Sequence, residues 1–108
     1  MAVRDDTSLC YTVLYGRELY CNTMDGTPVF TYSHDTLQFT RGVTVDHASY
    51  IFVCGYSSKN VHQLCHDRKL QRIIFDNLPS RPWCVSFNKH GGKAVIGCSD
   101  KVLSYDMK

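Results

Sequence analysis

Cys65, His66 and Asp67 set a thiol, an imidazole and a carboxylate side by side, the group types of a nucleophile, a base and an orienting acid. Such groups act together only when they converge in space, which adjacent residues rarely do. Cys65 ends an apolar, strand-like run, and His66 and Asp67 read as turn residues. His34-Asp35 and Lys89-His90 are likewise loop pairs. Asp25, Asp46, Asp67 and Asn88 recur in turns, where a carboxylate cluster could hold Ca²⁺. Each stands singly in its own turn, however, so capping of the local backbone is the expected role. The six cysteines (Cys10, Cys21, Cys54, Cys65, Cys84 and Cys98) are separated by 11, 33, 11, 19 and 14 residues, without the spacing of a zinc knuckle or a thioredoxin motif. Most fall in apolar strand patterns and read as small buried hydrophobes in a reducing, cytoplasmic compartment. No phosphate-binding glycine loop, nucleophile elbow or metal dyad occurs. The residues therefore point to no catalytic, cofactor or metal site, and to a protein that is not an enzyme.

A second set of residues is ordered by spacing. Arg17, Lys59 and Lys101 lie 42 residues apart. So do Asp25 and Asp67, Leu19 and Val61, Val45 and Phe87, Asp46 and Asn88, and Gly55 and Gly97. A period of this length is that of a β-propeller blade. The second repeat reads as four short strands with small turns: 41–46, 50–56, 61–65 and 70–75. The first has strands at 8–15, 19–23 and 28–32, with an initial strand reduced to about 2–4. The third runs through 84–87, 93–98 and 102–106 and stops before a fourth. The fold expected is all-β: a partial propeller of about two and a half four-stranded antiparallel blades. It forms one incomplete domain over 1–108, with repeats at about 1–39, 40–80 and 81–108. The chain reads as a fragment of a larger protein.

Because blades repeat by rotation, the turns between second and third strands should share one face. They bring Arg17, Lys59 and Lys101 there, and the connectors after each fourth strand add Arg41, Arg81 and Trp83. Cations beside an aromatic suit phosphate contact and base stacking. Glu18 and Asp100 adjoin Arg17 and Lys101 and offset them, so solvated turns are the simpler reading.

Composition agrees with strands: Val, Tyr, Phe, Thr and Ile are plentiful, and hydrophobic residues make up 44%. No apolar run approaches the roughly 18 residues of a membrane helix, and the first residues are not a signal peptide. The net charge of +2 is uneven, at −3 over residues 1–54 and +5 over 55–108. Such asymmetry fits a polyanionic partner or ordinary solvated loops.

Gly42-Val43-Thr44-Val45-Asp46, Asn60-Val61 and Asp67-Arg68-Lys69-Leu70 together resemble an NHL-type propeller repeat. From about Ser8 onward the chain is similar to C-terminal propeller segments of tripartite-motif-like proteins. Ala48-Ser49 replaces the usual Asp-Gly turn, and Gly55 stands where many such repeats carry Asp. The resemblance implies a binding platform for protein or RNA, one that can serve as the substrate-recognition part of a ubiquitin ligase. It implies no ligase activity here, since no Cys/His array or heptad run is present. The leading expectation is a protein-interaction module without cofactor. An RNA-binding platform on the basic face is the alternative. A propeller hydrolase remnant stands third, because Val43, Val45, Cys84, Val85 and Phe87 offer almost no metal ligands to a central channel. Open blade edges suggest self-association, and no membrane partner is expected.

Overall fold

A computed structural model of the chain describes residues 2–3, 8–13, 15–46, 50–65, 69–88 and 92–106. Eleven strands run through them: β1 (Ala2–Val3), β2 (Ser8–Thr12), β3 (Leu19–Thr23), β4 (Pro28–Tyr32), β5 (Thr40–Val45), β6 (Ile51–Gly55), β7 (Asn60–Leu64), β8 (Leu70–Phe75), β9 (Pro82–Phe87), β10 (Lys93–Cys98) and β11 (Val102–Asp106). They form three antiparallel meanders, β1-β2-β3-β4, β5-β6-β7-β8 and β9-β10-β11. The all-β partial propeller is therefore the architecture observed, with two four-stranded blades and one of three strands. Among the described residues there is no helix, hence none long and apolar enough to cross a membrane.

The blades stack face to face, and the period-2 alternation of strand side chains decides what meets between them. Cys10, Leu19, Cys21 and Tyr32 of the first blade pack against Val43, Ile51, Val53 and Leu64 of the second. Phe52, Cys54 and Val61, on the other face of the second blade, meet Val85 and Ile96 of the third, with Phe87, Leu103 and Tyr105 alongside. The second blade is thus covered on both sides, and every residue of β6 and β7 is buried. This explains why Ile51-Phe52-Val53-Cys54 is apolar without alternation.

The third blade departs from the 42-residue period. In the second blade the amide of Asp46 bonds to the carbonyl of Tyr50; in the third, Asn88 reaches on to Lys93, one residue further. The longer loop slips the pairing: Val43 faces Val53, but Val85 faces Ile96 rather than Val95. A slip of one residue turns side chains to the opposite face. The matching of Gly55 with Gly97 is corrected accordingly. A side chain at Gly55 would meet Ser58, Asn60 and Leu37, toward the first blade, whereas one at Gly97 would meet the Cys84 sulfur 2.9 Å away on the outer face.

Among the described residues nothing packs over that outer face. Val95 is 40% exposed, Val102 70%, and Cys84 is open to solvent, which corrects the expectation of buried cysteines at that position. Cys10, Cys21 and Cys54 are buried, and Cys65 and Cys98 are intermediate. Burial also pushes the Cys54 thiol up, with Cys84 and Cys98 adding to the effect. Cys84 is expected to react with a disulfide reagent in the folded protein, and Cys54 only after denaturant is added. Mass spectrometry of labelled peptides before and after unfolding checks this, and early labelling of Cys54 would contradict it.

Candidate functional site at the basic rim

Strands alternate in direction, so the β2–β3, β6–β7 and β10–β11 turns and the β4–β5 and β8–β9 connectors all lie at one end of the blades. Backbone bonds join connector to turn there: Thr40 N–H to Gly16 O at 2.9 Å, Tyr56 to Phe39 at 2.9 Å, Leu78 to Lys59 at 2.9 Å and Ser99 to Arg81 at 3.1 Å. The rim is therefore a framework of paired loops.

Among the described residues, four that are not glycine adopt left-handed backbone angles: Tyr15 (φ 64°), Phe39 (φ 54°), Lys59 (φ 56°) and Asn77 (φ 52°). All four lie on this rim. For residues other than Asn the left-handed region costs roughly 1–2 kcal/mol, and such cost tends to gather at functional sites.

At the inner side of the rim, three blades converge on one guanidinium. Arg41 Cζ lies 4.8 Å from the Tyr56 ring centroid, 5.1 Å from Trp83 and 5.7 Å from Tyr15. Tyr56 and Trp83 meet edge to face at 5.6 Å. Arg81 lies over the same Tyr56 ring at 5.5 Å, so two cations share one ring. Arg41 Nε and Nη1 are buried and have no hydrogen-bond partner among the described residues. The ring faces take that place, since a desolvated cation on an aromatic face gains about 2 kcal/mol. The carbonyl of Arg41 is held by the Thr12 hydroxyl. Thr12, Thr40, Arg41, Gly42 and Trp83 line an adjoining hollow of about 230 Å³.

The six residues singled out by spacing are thus placed unequally. Arg41, Arg81 and Trp83 form one cluster. Arg17 lies over Phe39 at 5.5 Å. Lys59 and Lys101 are exposed and stand in turns of different build. Lys59 belongs to a four-residue loop between the paired Gly55 and Asn60, while Lys101 closes a tight turn by accepting the Cys98 amide. Tyr15, Tyr56 and Phe39 were not legible as site residues. The signal available was the aromatic beside a turn glycine in Tyr15-Gly16 and Gly55-Tyr56.

The opposite end of the blades carries the caps. Asp25 accepts from the hydroxyls of Thr23 and Thr27 and from the Thr27 amide, and these bonds hold its carboxyl below the usual range. Asp46 accepts the Tyr50 amide, and Asn88 those of Gly92 and Lys93. Asp67, His66 and the Lys89-His90 pair lie outside the described residues. Among the described residues no three His, Cys, Asp or Glu side chains gather as a metal site.

Between the first and second blades lies a buried polar network. His62 Nδ1 is 2.9 Å from the Tyr32 hydroxyl, and its Nε2 is 3.2 Å from the Thr36 hydroxyl and 3.4 Å from Asn60 Nδ2. That Asn60 nitrogen also donates to the Thr36 carbonyl at 2.6 Å, which fixes the amide as donor. Nε2 of His62 is then the acceptor, and Nδ1–H donates to Tyr32. Burial lowers the His62 pKa to about 4, and the neighbouring His34 acts in the same direction. Burial also pushes the Tyr32 hydroxyl up to about 12.

No family model matches this chain, and no curated protein does. Solved structures match its fold. Hydrazine synthase from Kuenenia stuttgartiensis aligns with 98% of this chain and 31% of its own, at TM-score 0.81 and 13% identity. The WD40 β-propeller domain of Doa1 aligns with 82% of this chain and 29% of its own, at TM-score 0.67 and 22% identity. A protein of unknown function from Bacteroides caccae aligns over 99% and 44%, at TM-score 0.64 and 10% identity. The chain thus spans less than half the length of each. At these identities the likeness is one of fold: a β-propeller.

Proposed function

We propose that this chain is a non-catalytic protein-interaction module, part of a larger NHL-type propeller protein of the tripartite-motif-like kind, acting in the cytoplasm. In such a protein it would serve as the recognition surface, including substrate recognition where a ubiquitin ligase lies upstream. One observation carries the reading: three blades bring Tyr15, Tyr56, Trp83, Arg41 and Arg81 together at one rim. Tyr, Trp and Arg are the residue types that dominate binding energy at protein interfaces. Tyr15 is 73% exposed and Trp83 48%, so both rings have surface to bury against a partner.

A photo-crosslinking residue at Trp83 tests this, with one at the exposed Thr31 on outer strand β4 as control. A protein partner is expected from position 83 alone. Its capture should fall at least about tenfold in Arg81→Glu, as for an interface anchor. Equal capture from both positions would refute the rim as the surface. The RNA reading draws on the same exposed rings beside guanidiniums. It predicts nucleic acid crosslinked at position 83, with an affinity that falls steeply with salt.

A further inference from the structure

We infer that the inner rim recognises carboxylates: the partner is a protein segment rich in Asp or Glu, laid across Arg41, Tyr56 and Arg81. This rests on the reading of the rim as a protein-binding surface.

Positive charge at the inner rim is unbalanced. Arg41 and Arg81 share the Tyr56 ring, at 4.8 and 5.5 Å. Neither has a carboxylate within ion-pair distance among the described residues, where Lys93 and Asp106 pair at the far edge of the third blade. Like charges held together without a counterion cost stability. The acids of the rim do not relieve them. Glu18 is engaged by the Tyr20 hydroxyl at 2.9 Å and Asp100 by the Ser80 hydroxyl. Asp76 caps the adjacent Asn77 amide at 2.9 Å. Asp35, the remaining acid, lines a separate hollow with Arg17, His34 and Gln38. The inner part of the rim is therefore cationic although the rim as a whole is nearly balanced.

Desolvation acts in the same direction. Arg41 Nε and Nη1 are buried without a hydrogen bond. Aromatic faces return part of what that burial costs. An anion beside Arg41 returns more, because the local dielectric is low. The hollow lined by Thr12, Thr40, Gly42 and Trp83 opens at this point, and its 230 Å³ admit a carboxylate-bearing side chain. RNA fits less well at the shared ring: Tyr56 already carries two guanidiniums, so a base would have to stack on the exposed Tyr15 or Trp83 beside it.

Trp83 is the only tryptophan in the chain, so its emission reports on the site directly. The protein is titrated with a glutamate decamer and, separately, with a uridylate decamer of matching charge. The glutamate decamer is expected to shift Trp83 emission saturably. Arg81→Gln, an exposed position that leaves the Arg41 cage in place, should weaken it about tenfold, the size of one charge-assisted hydrogen bond. Lys93→Gln, at the distant ion pair, should leave it unchanged. Tighter binding of the uridylate decamer, or equal loss in Arg81→Gln and Lys93→Gln, would overturn the inference. So would an unchanged emission with the glutamate decamer. If position 83 still crosslinks a protein in that case, the interaction surface stands and only its preference for carboxylates is lost.

Discussion

Lowering the pH from 7 to 4 is expected to remove about 2–3 kcal/mol of folding stability through His62 alone. The residue is fully buried, with Tyr32, Thr36 and Asn60 in hydrogen-bonding reach and the His34 ring centroid 5.1 Å away. Burial and His34 bring its pKa down to about 4 from 6.5. Protonation would also set Nε2–H against the Asn60 amide, donor against donor. The sign follows from proton counting. Between pH 6.5 and about 4 the unfolded chain holds a proton that the folded one does not, so stability falls as pH falls. The contribution is complete above 6.5 and gone below about 4, with each tenfold loss of proton affinity on folding worth roughly 1.4 kcal/mol. Asp25 and Asp100, both lowered by hydroxyl donors, lose their contributions only at lower pH. Urea unfolding at pH 7, 5.5 and 4.5 measures the slope. His62→Gln keeps a donor and an acceptor but cannot titrate, so its stability should be nearly flat over that window. Parallel curves for wild type and variant would dismiss His62 as the source.

What the chain reveals before folding, and what it hides, divides along physical lines. The strands at 19–23, 28–32, 70–75, 93–98 and 102–106 were readable to the residue, because apolar runs there are cut by turn chemistry on both sides. The strand read as 8–15 ends at Thr12, since the left-handed Tyr15 and the turn bond from Gly16 to Val13 bend the chain early. The slip in the third blade could not be read: Gly55 and Gly97 match by count, and only the pairing of Val85 with Ile96 exposes the extra loop residue. The same holds for the rim. A period marks Arg17, Lys59 and Lys101, yet recurrence in a turn does not make side chains meet. Arg41 and Trp83 do meet, because they occupy equivalent places on neighbouring inner strands. The rings that complete the cage, Tyr15 and Tyr56, belong to turns without a shared period, and only the packing of three blades brings them together.

That packing depends on Gly42, and Gly42→Ala is expected to cost about 3 kcal/mol, at the upper end for an overpacked core. A Cβ there would lie 2.5 Å from the Trp83 carbonyl oxygen and 2.8 Å from the Cys84 Cα. Both are backbone atoms of β9, so no side-chain rotation relieves the contact. β5 and β9 must separate, and with them the junction that buries Val85, Ile96 and Phe52. Gly26→Ala provides the contrast. Gly26 has φ 95° but nothing within 4 Å of an added Cβ, so the change strains one exposed turn, at about 1 kcal/mol. Denaturant midpoints separate the two, and Trp83 emission gives a second readout. In Gly42→Ala the indole should move away from Tyr56 and Arg41 into water, with red-shifted emission and loss of rim binding; in Gly26→Ala both should stay as in wild type. A Gly42→Ala protein as stable as the parent would mean that the inner strands have slack, and that the Arg41 cage does not depend on their close approach.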